Sequence, residues 1–295
     1  MTRAEVQPPP HQGKTAFVLG GGGVRGAVEI GMLRALLERD IRPELVVGTS
    51  IGAINGALVA KDPTIGVIDA LLHAWVSPEA SKVYGGSLAG QFGRILRTRT
   101  HLNSPEPLKQ LLENSLGRNA TFEDLAIPLQ VVAAVIERAA EHVFYTGPLI
   151  PAIMASASVP GVFPATKIGD EHFIDGGIVN SIPIEHAVEA GATRIFVLQV
   201  GRIEERLVAP RTALETARVA FELARRHRYA RDLAHLPDDV TVHVPPSGGA
   251  LDGDDRITAY RNMKTVMDRI ERAYDASSAF LDQVAEPARW GTEPG

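Results

Sequence analysis

The residues best suited to chemistry lie in three short runs of small residues. Gly20–Gly23 form an unbroken glycine run inside "VLGGGGVRGAVEIGML", residues 18–33. Gly48-Thr49-Ser50-Ile51-Gly52 follows a second apolar run, and Asp175-Gly176-Gly177 closes "HFIDGG". Together they hold a hydroxyl nucleophile, a carboxylate and backbone N–H groups with no side chain in the way. Those are the parts needed to attack an ester carbonyl and hold the negative oxygen that results.

The glycine run admits three readings. Gly21, Gly23 and Gly26 fit a dinucleotide fingerprint, but the next strand ends in Gly-Thr-Ser, without the acidic residue that binds a ribose. A P-loop needs Lys-Ser/Thr after its last glycine, and Gly26 is followed by Ala27 and Val28. An oxyanion hole needs only exposed N–H donors at the start of a helix, with a nucleophile nearby. The segment Gly21-Gly22-Gly23-Val24-Arg25-Gly26 meets that need, and Ser50 supplies the nucleophile. G-x-S-x-G between a strand and a helix is the sharp turn that projects a serine hydroxyl. A serine merely capping a helix is the plainer alternative.

A serine needs a base. His73, His101, His142, His172, His186, His227, His235 and His243 follow the elbow, and none sits in a persuasive loop at a strand end. Asp175 follows a short apolar run and precedes two glycines, a pattern that also makes ordinary turns.

These residues require positioning elements. "TAFVLG", "ELVVGTS" and "RIFVLQV" read as strands, and "LQVVAAVIE" with "EHVFYTG" as a hairpin turning through Arg138–Ala140. "TKIGDEHFIDGG" reads as a second hairpin, turning at Gly169 and Asp170. Helices are predicted over "VRGAVEIGMLRALLERD", "IGAINGALVAKD", "TIGVIDALLHAWV", "PLIPAIMASASV" and "PIEHAVEAG". Another is predicted after Ser104-Pro105-Glu106, and the last two over 210–236 and 256–282. "VTVHVP" is a last strand. Strands alternating with helices predict a three-layer α/β/α fold on a mostly parallel sheet.

Four segments, in order, resemble the signature blocks of the patatin-like phospholipases. They are Gly21-Gly22-Gly23-Val24-Arg25-Gly26, then Gly48-Thr49-Ser50-Ile51-Gly52, then Ala155-Ser156-Ala157-Ser158-Val159-Pro160 with Val162-Phe163-Pro164, then Asp175-Gly176-Gly177. The likeness spans about Thr15 to Ala190 and fades after Gly191. It implies a Ser50–Asp175 dyad, oxyanion N–H groups from Gly22 and Gly23, and Arg25 helping to hold the loop. It also implies hydrolysis of lipid acyl esters (phospholipid, lysophospholipid or acylglycerol) through an acyl-serine, with no cofactor and no metal. A soluble carboxylesterase or thioesterase on the same dyad, or a non-catalytic lipid-binding regulator, are the alternatives. A water-exposed aspartate is too weak a base for serine, so Asp175 should lie buried beneath an apolar cleft.

Composition sets the remaining bounds. With 30 Lys and Arg against 35 Asp and Glu, a net charge of −5 argues against a nucleic-acid partner. The absence of cysteine excludes disulfides and thiolate chemistry. Residues 1–14 read as a disordered lead-in without a signal peptide, which points to the cytoplasm. Residues 15–190 read as the catalytic domain, 191–285 as a strand and helices completing it, and 286–295 as a tail. Contact with a membrane surface is expected of an enzyme on lipids. Arg94, Arg97 and Arg99 beside Phe92, Ile95 and Leu96, in an irregular stretch from Ser77 to Thr100, suit an anionic surface. Arg218, Arg225, Arg226, Arg228 and Arg231 make a second basic run, read as a solvated helix face with Glu222 pairing Arg226.

Overall fold

The computed structural model describes residues 13–76, 101–200, 203, 206–249 and 263–285. The irregular stretch 77–100, with Arg94, Arg97 and Arg99, lies outside them, as do most of the lead-in and the tail.

Among the described residues, eight strands form one sheet: β1 (Lys14–Leu19), β2 (Leu45–Thr49), β3 (Leu129–Val135), β4 (Ala140–Phe144), β5 (Thr166–Ile168), β6 (Glu171–Asp175), β7 (Ala192–Leu198) and β8 (Thr241–His243). The hydrogen-bonded path runs β5-β6-β3-β2-β1-β7-β8, with β4 added to β3. Pairing is parallel from β3 through β2, β1 and β7 to β8, and antiparallel among β3, β4, β5 and β6. The central strands read as continuous apolar runs because both of their faces are covered.

Helices α1 (Val28–Leu37), α2 (Ile51–Lys61), α3 (Val67–Val76), α4 (Glu106–Leu116), α5 (Leu149–Ser156) and α8 (Met263–Ala285) share one core with one face of the sheet. Phe17, Leu19 and Val46 point into it. The alternate residues Ala16, Val18, Leu45 and Val47 point the other way. There they meet α6 (Ile184–Glu189), through Ile184 and Ala187, and α7 (Ala213–Leu233), through Tyr229. The architecture is the three-layer α/β/α sandwich expected. Phe17 and Phe196, on neighbouring strands β1 and β7, meet edge to face at 5.8 Å. The late helix α8 packs along α1, with Arg34 over the Tyr274 ring at 4.1 Å and Arg39 paired to Asp282 at 2.7 Å.

Both expected hairpins are present, β3–β4 and β5–β6. The first helix differs from its prediction. Residues Gly23–Ala27 form a 3-10 turn, and α-helix begins only at Val28. A tighter turn brings the chain out of β1 and turns it within a few residues. Helix α5 ends at Ser156, before Pro160.

Candidate active site

Three C-terminal strand ends build the site, and β3 sets their spacing. Along one edge β3 pairs with β4, from Val131↔Phe144 to Val135↔Ala140. Its other edge is shared by two strands laid end to end. β2 runs up it to Thr49↔Val132, and β6 runs down it to Ala133↔Asp175. The C-terminal ends of β2 and β6 therefore meet at adjacent positions on β3. Ser50 is the first residue beyond one, and Asp175 is the last residue of the other.

Ser50 adopts φ 57° and ψ −121°, a backbone conformation rare for any residue with a side chain. Holding it costs on the order of 1–3 kcal/mol, which neighbouring contacts must offset. The Ser50 N–H donates to Ser156 Oγ at 2.8 Å, and Ser156 Oγ donates to Val132 O at 2.6 Å. The Ser50 carbonyl starts α2 by accepting from Ala53 N at 3.0 Å. The elbow needs Gly52 because α2 passes against β1: a Cβ there would lie 2.1 Å from Leu19 O. Thr49 Oγ1 donates to Asn180 O at 2.9 Å, tying the elbow to the segment after Asp175.

Ser50 Oγ donates to Asp175 Oδ2 at 2.5 Å, a length typical of a hydroxyl on a carboxylate. The other oxygen, Oδ1, accepts from Gly177 N at 2.7 Å. Both side chains are buried, Ser50 5% and Asp175 4% exposed. Burial pushes the Asp175 carboxyl up from 3.8 to about 6, while the bonds from Ser50 and Gly177 draw it down. The pair can thus carry a proton between a hydroxyl and a carboxylate whose basicity lies close to neutral pH. No histidine partners Ser50 among the described residues. His142 packs on Phe144 and Phe173, His172 pairs with Glu137, and His243 stacks on Phe196 at 4.9 Å.

The glycine run lies beside this pair. The Gly21 N–H is committed to Ser181 O at 3.0 Å, and the Gly20 N–H to Leu198 O at 2.9 Å. That leaves Gly22 and Gly23 as the first residues of the run outside this anchoring, with Val24, Arg25 and Gly26 within the 3-10 turn. A Cβ on Gly21 would lie 3.4 Å from Ser50 Cβ, so the run and the serine are in close contact. Gly48 and Thr49 are the last two residues of β2, Ile51 starts α2, and Gly176 and Gly177 follow Asp175 at the end of β6.

Ser156 and Ser158, in the third of the four blocks, carry no role that the sequence reveals. Ser156 braces the elbow, and Ser158 O accepts from Asp175 N at 3.0 Å. Asn180, too, gives no signal in the sequence: its backbone carries the Thr49 bond and its side chain donates to Glu141 and Glu185. The basic run on α7 is corrected in part. The Glu222–Arg226 pair is present at 3.3 Å, but Arg225 and Arg228 turn inward. The Arg225 side chain is 2% exposed and bonds Glu222, while Arg228 pairs with Glu141, Glu185 and Asp232 and donates to Val179 O. This face of α7 anchors the segment following Asp175.

Comparison with known proteins agrees with this architecture. The family model for patatin-like phospholipase matches residues 17–188. A patatin-like phospholipase domain-containing protein of Caenorhabditis elegans is 33% identical over 199 residues, 64% of this chain and 14% of that protein. The neuropathy target esterase of Drosophila melanogaster is 31% identical over 187 residues, 63% of this chain and 13% of its own length. The chain thus spans about a seventh of the curated relatives it matches. The crystal structure of VipD from Legionella pneumophila shares the fold at a TM-score of 0.50 and 13% identity, covering 92% of this chain and 67% of that one. No helix among the described residues is long and apolar enough to cross a membrane.

Proposed function

The chain belongs to the patatin-like phospholipase family, and we propose that it hydrolyses lipid acyl esters with Ser50 as nucleophile and Asp175 as its base. The observation that carries this reading is the buried 2.5 Å hydrogen bond from Ser50 Oγ to Asp175 Oδ2. In the proposed cycle, Ser50 Oγ attacks the acyl carbonyl as its proton passes to Asp175. The Gly22 and Gly23 N–H groups take the developing oxyanion. The C–O bond to the alcohol breaks, and Asp175 returns the proton to the leaving oxygen. Water then attacks the acyl-serine and gives a proton to Asp175; the bond from the acyl carbon to Ser50 Oγ breaks, Asp175 returns the proton to Ser50 Oγ, and the carboxylic acid leaves. One carboxylate near neutrality can serve both halves, since its two forms are both populated near its pKa of about 6.

The family's name and the lysophospholipase among the relatives support phospholipid or lysophospholipid as the substrate class, with acylglycerol a further lipid ester open to the same chemistry. An apolar lip supports it. Ile178 is 44% and Phe221 41% exposed, and Phe221 stands 3.3 Å from where a Cβ on Gly177 would be. These two side chains border the segment that carries Asp175 and suit an acyl chain better than a polar substrate. Contact with a lipid surface is part of this reading.

The test compares wild type, Ser50→Ala and Asp175→Asn against a fluorophosphonate probe and p-nitrophenyl esters of short and long chain. Labelling and turnover in wild type alone are expected, with rates rising with acyl length. A wild type that neither labels nor turns over any ester, with lipid micelles present, would overturn the proposal.

A further inference from the structure

Helix α2 carries a polar side chain where its small residues leave little room for one. Asn55, five residues after Ser50, is fully buried, and both of its N–H donors and its oxygen are engaged. Its Nδ2 donates to Gly26 O at 3.1 Å and to Glu29 Oε2 at 2.7 Å. Its Oδ1 accepts from Trp75 Nε1 at 3.0 Å. Indole N–H is a donor only and a backbone carbonyl an acceptor only, so these partners fix which way the amide faces.

The partners come from three different elements. Gly26 lies in the 3-10 turn, Glu29 in the first turn of α1, and Trp75 in the last turn of α3. The contact at Gly26 is close: a Cβ there would lie 2.3 Å from Ile51 Cγ1 and 3.0 Å from Trp75 Cζ2. Ile51 is the neighbour of Ser50. Glu29 is also fully buried, and its Oε1 has no partner among the described residues. Burial holds the Glu29 carboxyl well above the usual carboxylate range, against the pull of Asn55. Its Oε2 serves Asn55 as an acceptor, a role that the oxygen of a glutamine side chain also fills.

We propose that Asn55 is a positioning residue: its amide clamps the glycine turn onto the helix that starts at Ser50 and so fixes the Gly22 and Gly23 N–H groups relative to the Ser50 hydroxyl. The inference rests on the reading of Ser50 as nucleophile. The front of the run is anchored through its backbone, by Gly20 to Leu198 and Gly21 to Ser181. Asn55 supplies the anchor at the back, and it ties the turn to the nucleophile's own helix. Glu29 and Trp75 hold the amide in the one orientation that donates to Gly26.

Asn55→Asp tests this directly. The change keeps the size and the acceptor for Trp75, but sets a second oxygen against Gly26 O. A misplacement of about 1 Å away from the reacting atoms can lower rates by about 100-fold, so kcat should fall roughly 10- to 100-fold with KM within about twofold. The diagnostic readout is the ratio of rates on a p-nitrophenyl ester and the matching thionoester. Donors fixed at an oxyanion's position favour oxygen over the larger sulfur, so the variant should lose part of that preference. The pH midpoint set by Asp175 should not move. Glu29→Gln should retain both kcat and the ratio, while Glu29→Leu should lose them. Partial loss of folding lowers both rates equally and leaves the ratio alone. If Asn55→Asp does not fold, Trp75→Phe removes one donor to the amide and should shift the ratio in the same direction. A folded Asn55→Asp or Trp75→Phe with the wild-type kcat and ratio overturns the proposal. A wild type whose turnover equals that of Ser50→Ala overturns it too, by removing the reading on which it rests.

Discussion

Replacing Asp175 by asparagine should make the protein inactive and, at neutral pH, more stable. Burial raises the Asp175 carboxyl from 3.8 to about 6, so the folded chain resists its ionisation. The sign follows from linkage. A group whose pKa is higher in the folded state contributes its full stability below the unfolded value, near pH 4, and loses it as pH rises through the folded value, near pH 6. At about 1.4 kcal/mol for each tenfold change in ionisation, the carboxylate at pH 7 destabilises the fold by about 3 kcal/mol. Asparagine avoids this loss while keeping the local bonds: its oxygen can accept from Gly177 N and its amide can donate to Ser50 Oγ. The stability of Asp175→Asn minus that of wild type, from urea unfolding at fixed pH, cancels every other titrating group. That difference should grow by about 2–3 kcal/mol between pH 4 and pH 7 and then level off. Over the same range kcat/KM of wild type should rise with pH through about 6, since only the ionised carboxylate can accept the serine proton. A stability difference that stays flat from pH 4 to pH 7 would refute the argument, because Asp175 would then be an ordinary carboxylate and too weak a base for serine.

Two further outcomes are expected. Ser156→Ala removes the acceptor for the buried Ser50 N–H and the donor to Val132 O. Leaving such groups unpaired costs about 1–3 kcal/mol, and because the lost bonds brace a strained residue, kcat should fall together with the urea midpoint. His186 is the second case. Burial alone would lower its pKa, but the hydrogen bond that its Nε2 donates to Glu141 and the charges of Glu141, Glu185 and Glu189 raise it overall, with Arg228 and Asp232 completing the cluster. Its contribution is full below the ordinary value of 6.5 and is lost as pH rises through the higher folded value. His186→Gln should therefore lower stability at pH 6 more than at pH 9, read from thermal unfolding at both.

The parts of the site that were legible in the sequence are those where backbone geometry admits few residue types. The elbow demands a glycine where α2 passes Leu19 O, and Asp175 is followed by glycines where the chain leaves β6, so Ser50 and Asp175 stood out. The supporting residues did not. Ser156 sits in an apolar helix, where a serine looks like any other small residue, and only the fold aims it at the Ser50 N–H. Asn55 and Glu29 interrupt apolar faces, but their partners come from other elements and leave no spacing signal. The α7 arginines misled for a related reason. The i,i+4 rule paired Arg226 with Glu222 correctly, yet it sees one helix only. It could not show that Arg228 reaches Glu141 on β4 and Glu185 on α6. Likewise the glycine run predicts N–H donors without showing that Gly21 gives its own to Ser181.

The register of β3 explains why a short carboxylate can reach the serine here without an intervening imidazole. Thr49 and Asp175 oppose Val132 and Ala133, successive residues of one strand edge, and their strands approach from opposite directions. Each side chain of the pair therefore leaves the backbone at a strand end fixed by ladder hydrogen bonds. The separation between them is set by one residue step of β3 and not by a mobile loop. This precision has a consequence for substitution. A slip of β6 by one residue would turn Asp175 to the other face of the sheet and present Ile174 in its place. Two anchors oppose that slip. One is the Asp175 N–H bond to Ser158 O, and the other is Arg228, which holds Val179 O from α7. The late helix α7, beyond the stretch matched by the family model, is in this way coupled to the placement of the aspartate. Changes to its inward arginines should register at the Ser50–Asp175 pair before they register in the fold.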